Sequence, residues 1–286
     1  MPHDVTRRQF ALLAAGAALA GLLPARLAFA ETTLEKIRRT GKVTVGTEAA
    51  FPPFEFVEDG KIVGYGSDIL AEVVKALGVE VEQLDLPWQG ILPGVLAGKF
   101  DFVATTVGIN EERAKRYAYT LPIADGQPYA AKRKGDAMTA AADLNGKVVA
   151  TQLASSTEPV AKAYDEKLKA EGGEGFSELK LFTAFTEAYV ALANGEVDAV
   201  IQSLPALAVL AKDQPDTFEL LGPVELPGAF TYLAWVTRPE DTDLRDFISG
   251  VIRDMRGDGR LYALQEKWFG FRMEIPDEGY LPPGAV

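Results

Sequence analysis

The chain has no cysteine and one histidine, His3, among its 286 residues. Without thiols there is no disulfide, no thiolate metal site, no cysteine nucleophile and no acylated N-terminal cysteine. His3 sits in a stretch that reads as a removable leader, so residues 31–286 carry no imidazole. That disposes of a Ser-His-Asp triad and of most zinc sites. Basic residues are also scarce: 29 Lys and Arg against 41 Asp and Glu give a net charge of −12. A surface this acidic disfavours nucleic acid and anionic membranes as partners, though it says nothing of the charge inside a cleft. Internal repeats, heptad runs and low-complexity tracts are not evident.

The leader is read from Thr6-Arg7-Arg8-Gln9-Phe10, an apolar run from Ala11 to Leu23, and Ala28-Phe29-Ala30. These are the parts of a twin-arginine secretory signal, with cleavage expected after Ala30. The alternative is an N-terminal membrane anchor, but the apolar run is short for a span of ~20 residues and a processing site follows it. Losing three arginines and one aspartate with the leader moves the net charge from −12 to −14. With no lipid anchor and no membrane span, the processed protein is expected to be soluble in a periplasm.

The rest alternates short β-branched strands with amphipathic helices. Lys42–Thr47 is a strand running into Glu48-Ala49-Ala50-Phe51-Pro52-Pro53-Phe54, where two prolines stop any helix and hold two aromatics in a loop. A hairpin is expected around the Glu-Asp-Gly turn at residues 58–60, then a helix over 68–77 capped by Ser67 and stopped by Gly78. Val79–Leu84 is the next strand, and Trp88 precedes a second helix that ends at Gly98. Strand–helix alternation of this kind argues for parallel βαβ units, whose ligands sit at the carboxyl ends of the strands.

A similar pattern restarts after an extended connector near residues 121–126. Strand Lys147–Thr151 leads through Gln152-Leu153-Ala154-Ser155-Ser156-Thr157 into a helix with Pro159 in its first turn. A small-residue loop feeding a helix N-terminus is a natural anion seat. A strand at Lys180–Phe182, a helix at Thr186–Ala193, a strand at Asp198–Gln202 and a helix over 205–212 follow. A second extended connector covers Gly222–Gly228, ahead of the strand Tyr232–Val236 and two last helices, while the tail from Pro276 is expected to be weakly ordered. Two crossings suggest two α/β lobes around a cleft; the alternative is one continuous α/β sheet.

The central stretch is Asp101–Arg113, DFVATTVGINEER. A buried strand brings Thr105 and Thr106 to its carboxyl end, and Arg113 heads the next helix. Two hydroxyls, free backbone N–H groups and a guanidinium, whose planar fork matches a carboxylate, can surround a small anion. The plainer reading is a strand–turn–helix with a surface arginine. Glu48, Phe51 and Trp88 come from the same rim. Phe54 and Trp235 read as core, and the other acids on helices as solvated faces.

Across residues 42–270 the chain resembles the polar amino-acid family of periplasmic solute-binding proteins, the feeder subunits of ABC importers. The resemblance is carried by Val45-Gly46-Thr47, Phe51-Pro52-Pro53-Phe54-Glu55-Phe56, Gly64-Tyr65 with Asp68, Asp101 and Glu112-Arg113. It continues through Leu144-Asn145-Gly146-Lys147 and Leu192-Ala193-Asn194-Gly195-Glu196-Val197-Asp198-Ala199. It implies an α/β fold of two lobes joined by a two-strand hinge, with lobe one formed by 31–126 and 228–286 and lobe two by 127–227. By position, Arg113 resembles the clamp of the ligand's α-carboxylate, and Thr105 and Thr106 the donors beside it. Phe51 and Trp88 resemble the side chains that sandwich the ligand, Glu48 and Gln152 the readers of its distal end, and Ser155 and Ser156 the second lobe's carboxylate loop.

Two positions depart from the family. Gly108 stands where a hydroxyl usually contacts the head group, and Ser203 where an aspartate usually pairs with the α-ammonium. An unmatched buried ammonium typically costs ~2–5 kcal/mol. The expected solute is a small carboxylate, an amino acid or an amino-acid derivative: a betaine-like or cyclic derivative or a hydroxy acid if the ammonium site is lost, an ordinary amino acid if another acid such as Glu158 or Asp125 moves in. No cofactor or metal is implied. The expected partners are that solute and an inner-membrane permease, with the protein acting as a monomer. The competing function is an exported cyclohexadienyl-dehydratase-like enzyme on the same fold, in which Glu48 and Arg113 would supply acid and clamp. Presentation of the solute to a membrane sensor uses the same cleft.

Overall fold

Apolar strands followed by helices with one apolar face bury both surfaces by stacking into layers. In the computed structural model, which describes residues 31–227 and 232–286, this happens twice. The leader with its cleavage site after Ala30, and Gly228 at the end of the second connector, lie outside the described residues.

After α1 (Thr33–Thr40), β1 (Lys42–Thr47) leads into a small antiparallel sheet of β2 (Ala50–Phe51), β3 (Glu55–Glu58) and β4 (Lys61–Val63). Then come α2 (Tyr65–Leu77), β5 (Glu80–Asp85), α3 (Trp88–Leu96), β6 (Phe102–Gly108) and the short α4 (Glu111–Ala114). β7 (Ala118–Tyr119) and β8 (Ala124–Asp125) precede the crossing to β9 (Pro128–Arg133). The second unit continues with β10 (Val148–Gln152), α5 (Thr157–Ala170), β11 (Glu178–Phe182), α6 (Phe185–Asn194), β12 (Ala199–Ser203), α7 (Leu204–Asp213) and β13 (Phe218–Pro223). The chain returns with β14 (Tyr232–Thr237), α8 (Thr242–Gly257) and α9 (Arg260–Trp268).

The first large sheet has the order β5-β1-β6-β14-β7, with β8 also pairing β14, and the second has the order β11-β10-β12-β9-β13. In each, three strands are parallel and the next is antiparallel: β14 against β6, and β9 against β12. These are the two α/β lobes, and the alternative of one continuous sheet does not hold. Along β6, Phe102 and Ala104 enter the main apolar cluster, whereas Val103 and Val107 enter a second cluster with Ile91, Val95 and Phe100 under α3. That two-residue alternation puts helices on both faces of the sheet. Phe100 explains two glycines. A Cβ on Gly46 would stand 2.5 Å from its ring and one on Gly94 2.8 Å from it, so α3 reaches β1 only because both lack one.

Several local expectations need correction. α2 begins two residues before Ser67, at Tyr65, with Gly64 as its N-cap, and the Ser67 hydroxyl is buried without a partner among the described residues. The tail after Pro276 is docked: Tyr280, Leu281 and Ala285 pack on the cluster under α3, and Val286 N–H donates to Ala114 O at 2.9 Å. β9 was not foreseen, and β13 ends inside the segment read as a connector. Asp68 holds α9, accepting from Lys267 Nζ and Trp268 Nε1, both at 2.7 Å. Phe54 and Trp235 are fully buried, as read.

Candidate functional site

Parallel pairing sets where side chains emerge at a sheet's carboxyl edge. β1 sits between β5 and β6 in register Val45↔Phe102, which brings Glu48, just past β1, beside the end of β6. In the second lobe Val149↔Ala199 brings the Gln152–Ser156 loop alongside Gln202 and Ser203. The two edges meet around a cavity of about 30 Å³.

One side of the cavity gathers a cation, a hydroxyl and a helix N-terminus, groups that can hold an anion. Asn110 caps α4 by accepting the Arg113 backbone N–H at 2.9 Å, which turns the Arg113 side chain back toward the end of β6. Its guanidinium lies 5.6 Å from the Trp88 ring centre. Nη1 donates to Ser156 Oγ, and Nη2 to Ala154 O at 2.8 Å. Both acceptors are neutral, and burial lowers the arginine's pKa without removing its charge. Ser156 Oγ also accepts the Gly108 N–H at 3.0 Å. Ser156 precedes the first residue of α5, so the helix's free N–H groups and dipole favour negative charge at the same point.

On the other side Glu48 lines the cavity and a second carboxyl, Glu55, lies outside its wall. Glu48 is only 5% exposed, its Oε1 accepts from Gln152 Nε2, and Gln152 also donates to Thr183 O at 3.0 Å. Burial raises the Glu48 pKa to about 7, against the lowering effect of Gln152. Glu55 is fully buried; burial raises its pKa well above the usual range, and Glu48 adds to the rise. Thr105 gives its hydroxyl to Glu55 Oε2 at 2.8 Å. Phe51 stacks on Phe185 of α6 at 5.8 Å, closing this side with two rings.

Of the residues singled out from the sequence, the cavity wall contains Glu48, Phe51, Trp88, Thr106 and Gly108 from the first lobe. From the second it contains Gln152, Ser155 and Ser156. Arg113 stands behind this wall on Ser156. Thr105 is outside it, its hydroxyl committed to Glu55, and Ser203 is buried beside it. Phe185, Gln202, Thr157 and Leu233 were missed. Phe185 and Gln202 were reachable by the rule that ligands gather at carboxyl ends, since they follow β11 and end β12. Glu158 and Asp125 do not move in: Glu158 accepts from Ala154 N–H and Lys162, and Asp125 from Gln127 N–H at 2.7 Å.

The cavity has room for one or two water molecules. A larger solute is admitted only when the walls part. The contacts to be broken run between the lobes: Arg113 to Ser156 and Ala154, Glu48 to Gln152, and Gln89 Nε2 to Leu153 O and Thr183 O at 3.3 and 3.1 Å.

The chain is 31% identical over 245 residues to the L-cystine-binding protein TcyJ of Escherichia coli K12, covering 84% of this chain and 87% of that one. An ancestral arginine-binding protein bound to arginine is similar in structure, with TM-score 0.70, 31% identity, and 80% and 99% coverage of the two chains. So is the ancestral amino acid-binding protein AncCDT-1, a precursor of cyclohexadienyl dehydratase, with TM-score 0.73, 29% identity, and 83% and 100% coverage. Residues 43–271 match a single family along their whole length. The chain belongs to the bacterial extracellular solute-binding proteins, family 3.

Proposed function

We propose that this protein is the periplasmic solute-binding subunit of an ABC importer and that it captures a small carboxylate-bearing solute between its lobes. The observation that carries the reading is Arg113, a half-buried cation whose two hydrogen bonds go to neutral oxygens, aimed at the N-terminus of α5. A carboxylate bound there would meet the guanidinium fork, the Ser156 hydroxyl and the helix N–H groups together. Phe51, Phe185 and Trp88 would flank its carbon skeleton, and Glu48 with Gln152 would read its far end. The crossings between β8 and β9 and between β13 and β14 support a hinge, with 31–126 and 228–286 moving against 127–227. The named relatives bind amino acids, and a permease would recognise the closed lobes. Thermal stabilisation by a panel of small carboxylates tests this reading. Ligand at ~100 times its dissociation constant adds ~2.7 kcal/mol, and Arg113→Ala should abolish the shift.

A second reading draws support from one feature. A carboxyl with pKa about 7, facing the cavity beside two aromatic rings, is a competent proton donor at neutral pH. With Arg113 as clamp, Glu48 could protonate a ring hydroxyl, which leaves as water while the ring carboxylate leaves as CO2 and its bonding pair completes the aromatic ring, as a cyclohexadienyl dehydratase requires. Incubation with a cyclohexadienyl acid separates the two: aromatised product supports the enzyme, and binding without turnover the carrier.

A further inference from the structure

Several buried polar groups at and around the solute cavity have no hydrogen-bond partner among the described residues. Thr106 Oγ1 and Gln202 Nε2 are on the cavity wall, 6% and 3% exposed, and neither has a partner. Ser203 Oγ, on the next residue of β12, has none either. The Gln202 amide is oriented by its own backbone: its oxygen takes the Ser203 N–H at 2.5 Å, which leaves the amino group on the other side. The Tyr189 hydroxyl is also unpartnered, but an amide nitrogen carries two hydrogens, so one remains even if the other turns to the phenol. A buried donor left unmatched costs roughly 1–3 kcal/mol, and the Gln202 amino group, which can only donate, marks where an acceptor belongs, whereas the Thr106 and Ser203 hydroxyls can donate or accept.

Charge points the same way. Arg113 brings one positive charge, and among the described residues Glu48 is the one carboxyl on the cavity wall. Glu48 is half protonated near neutral pH and has one oxygen engaged by Gln152. An ammonium is donor-only and needs a full counter-charge when desolvated. Here it would meet the amino group of Gln202, which cannot accept, and the hydroxyl of Thr106, which can accept but brings no counter-charge.

Taking Arg113 as the carboxylate clamp, we infer that the solute carries an uncharged oxygen, hydroxyl or oxo, where an α-amino acid carries its ammonium. The site then suits monoanionic 2-hydroxy or 2-oxo acids, whose oxygen accepts from Gln202 and Thr106 while the carboxylate goes to Arg113.

The test is calorimetric titration at pH 6.5 with trios of one skeleton: L-leucine, 2-hydroxyisocaproate and 2-oxoisocaproate, and L-phenylalanine, phenyllactate and phenylpyruvate. The inference expects a hydroxy or oxo acid to bind at least 10-fold tighter than its amino acid in at least one trio. Equal or tighter binding of the amino acids overturns it, as does the absence of binding by every member. Gln202→Glu keeps the acceptor for Ser203 N–H and adds a carboxylate. It should move the amino-to-hydroxy ratio at least 10-fold toward the amino acid, and an unmoved ratio in a folded variant counts against the inference. The clamp is read separately. If Arg113→Ala leaves whatever binding exists within a few-fold, the reading of the site itself fails, whichever head group is preferred.

Discussion

Asp101, just before β6, and Asp198, just before β12, occupy matching places in the two lobes. Each donates its backbone N–H to the neighbouring strand at 2.7 Å, to Thr44 O and Val148 O respectively. Each takes the N–H of that same residue on Oδ2, at 2.9 Å in both cases. Each is preceded by a left-handed glycine, Gly98 at φ +67° and Gly195 at φ +81°. Beyond the pinned start the two strands diverge. β6 runs to Gly108 and into the Asn110-capped turn that presents Arg113, whereas β12 ends on Gln202 and Ser203 and passes straight into α7 through Leu204 and Pro205. One edge ends in a cation and the other in neutral donors. The pinning bonds use the backbone and one aspartate at the amino end of the strand, so they hold the sheet whatever stands at the carboxyl end. Scaffold and site are separable, and the site can change without loss of the fold.

The largest effect should come from the cationic edge. Arg113→Ala removes the fork and leaves a bound carboxylate without its counter-charge, a loss of ~2–5 kcal/mol in binding. Calorimetry with whichever acid of the trios binds tightest should show a fall of about 30-fold or more. Arg113→Lys keeps the charge but loses the paired geometry and should recover only part of it.

Next is Glu48, where the lobes meet. Its pKa is raised to about 7 in the folded protein against an ordinary value of 4.5, with burial as the main cause and Asp85 adding to it. The folded state therefore holds a proton that the unfolded chain releases between about pH 4.5 and 7, and stability falls as pH rises through that window. The shift corresponds to ~3 kcal/mol by pH 8. Glu48→Gln cannot ionise, so denaturant titrations of the two proteins should diverge across this range, with the variant gaining at high pH. Parallel curves would mean that Glu48 is already charged.

Much of this architecture was legible beforehand, and the reasons are physical. Strand–helix alternation located the elements, because a two-residue period and an apolar helix face are written into the residues themselves. The carboxyl-edge rule then gathered Glu48, Phe51, Trp88, Thr105 and Arg113 without a structure; the first three reach the cavity wall, while Arg113 stands behind it and Thr105 outside it. What stayed hidden depends on contacts far apart in the chain. Thr105 and Thr106 look alike in sequence, yet alternation along β6 sends one hydroxyl to Glu55 and the other to the cavity. The role of Gln202 carries no signal in the sequence because it depends on how its amide is turned by the Ser203 N–H. The match between Leu96-Ala97-Gly98-Lys99-Phe100-Asp101 and Ala193-Asn194-Gly195-Glu196-Val197-Asp198 escaped notice as a repeat. It consists of a glycine and an aspartate three residues apart, meaningful only once both strands are seen pinned. The docked tail was invisible because its partners, Arg256 and Ala114, lie elsewhere in the chain.

The pinned starts themselves can be compared by Asp101→Ala and Asp198→Ala. Hydrogen bonds to a charged acceptor contribute ~1.5–3 kcal/mol when buried. The Asp101 side chain is 6% exposed and the Asp198 side chain 34%. Solvent therefore reaches the second bond more readily, and its loss should cost roughly half as much. Urea unfolding should show the larger drop for Asp101→Ala. Equal drops would mean that burial does not separate the two lobes, and the matching geometry would then extend to matching energetics.

The smallest effect should be kinetic and lie at the mouth of the cleft. Gln89 reaches from α3 to the carbonyls of Leu153 and Thr183, so its bonds exist only while the lobes are together. Exposed bonds between neutral groups contribute little, ~0.5–1 kcal/mol here. Because they form after the solute is enclosed, their loss should leave the association rate alone and speed release. Stopped-flow dissociation from Gln89→Ala should be about two- to five-fold faster, with an unchanged on-rate. A slower on-rate instead would mean that Gln89 helps to form the closed state rather than to hold it. The second lobe would then be taking part in capture, and the division between a capturing cationic edge and a reading neutral edge would have to be redrawn.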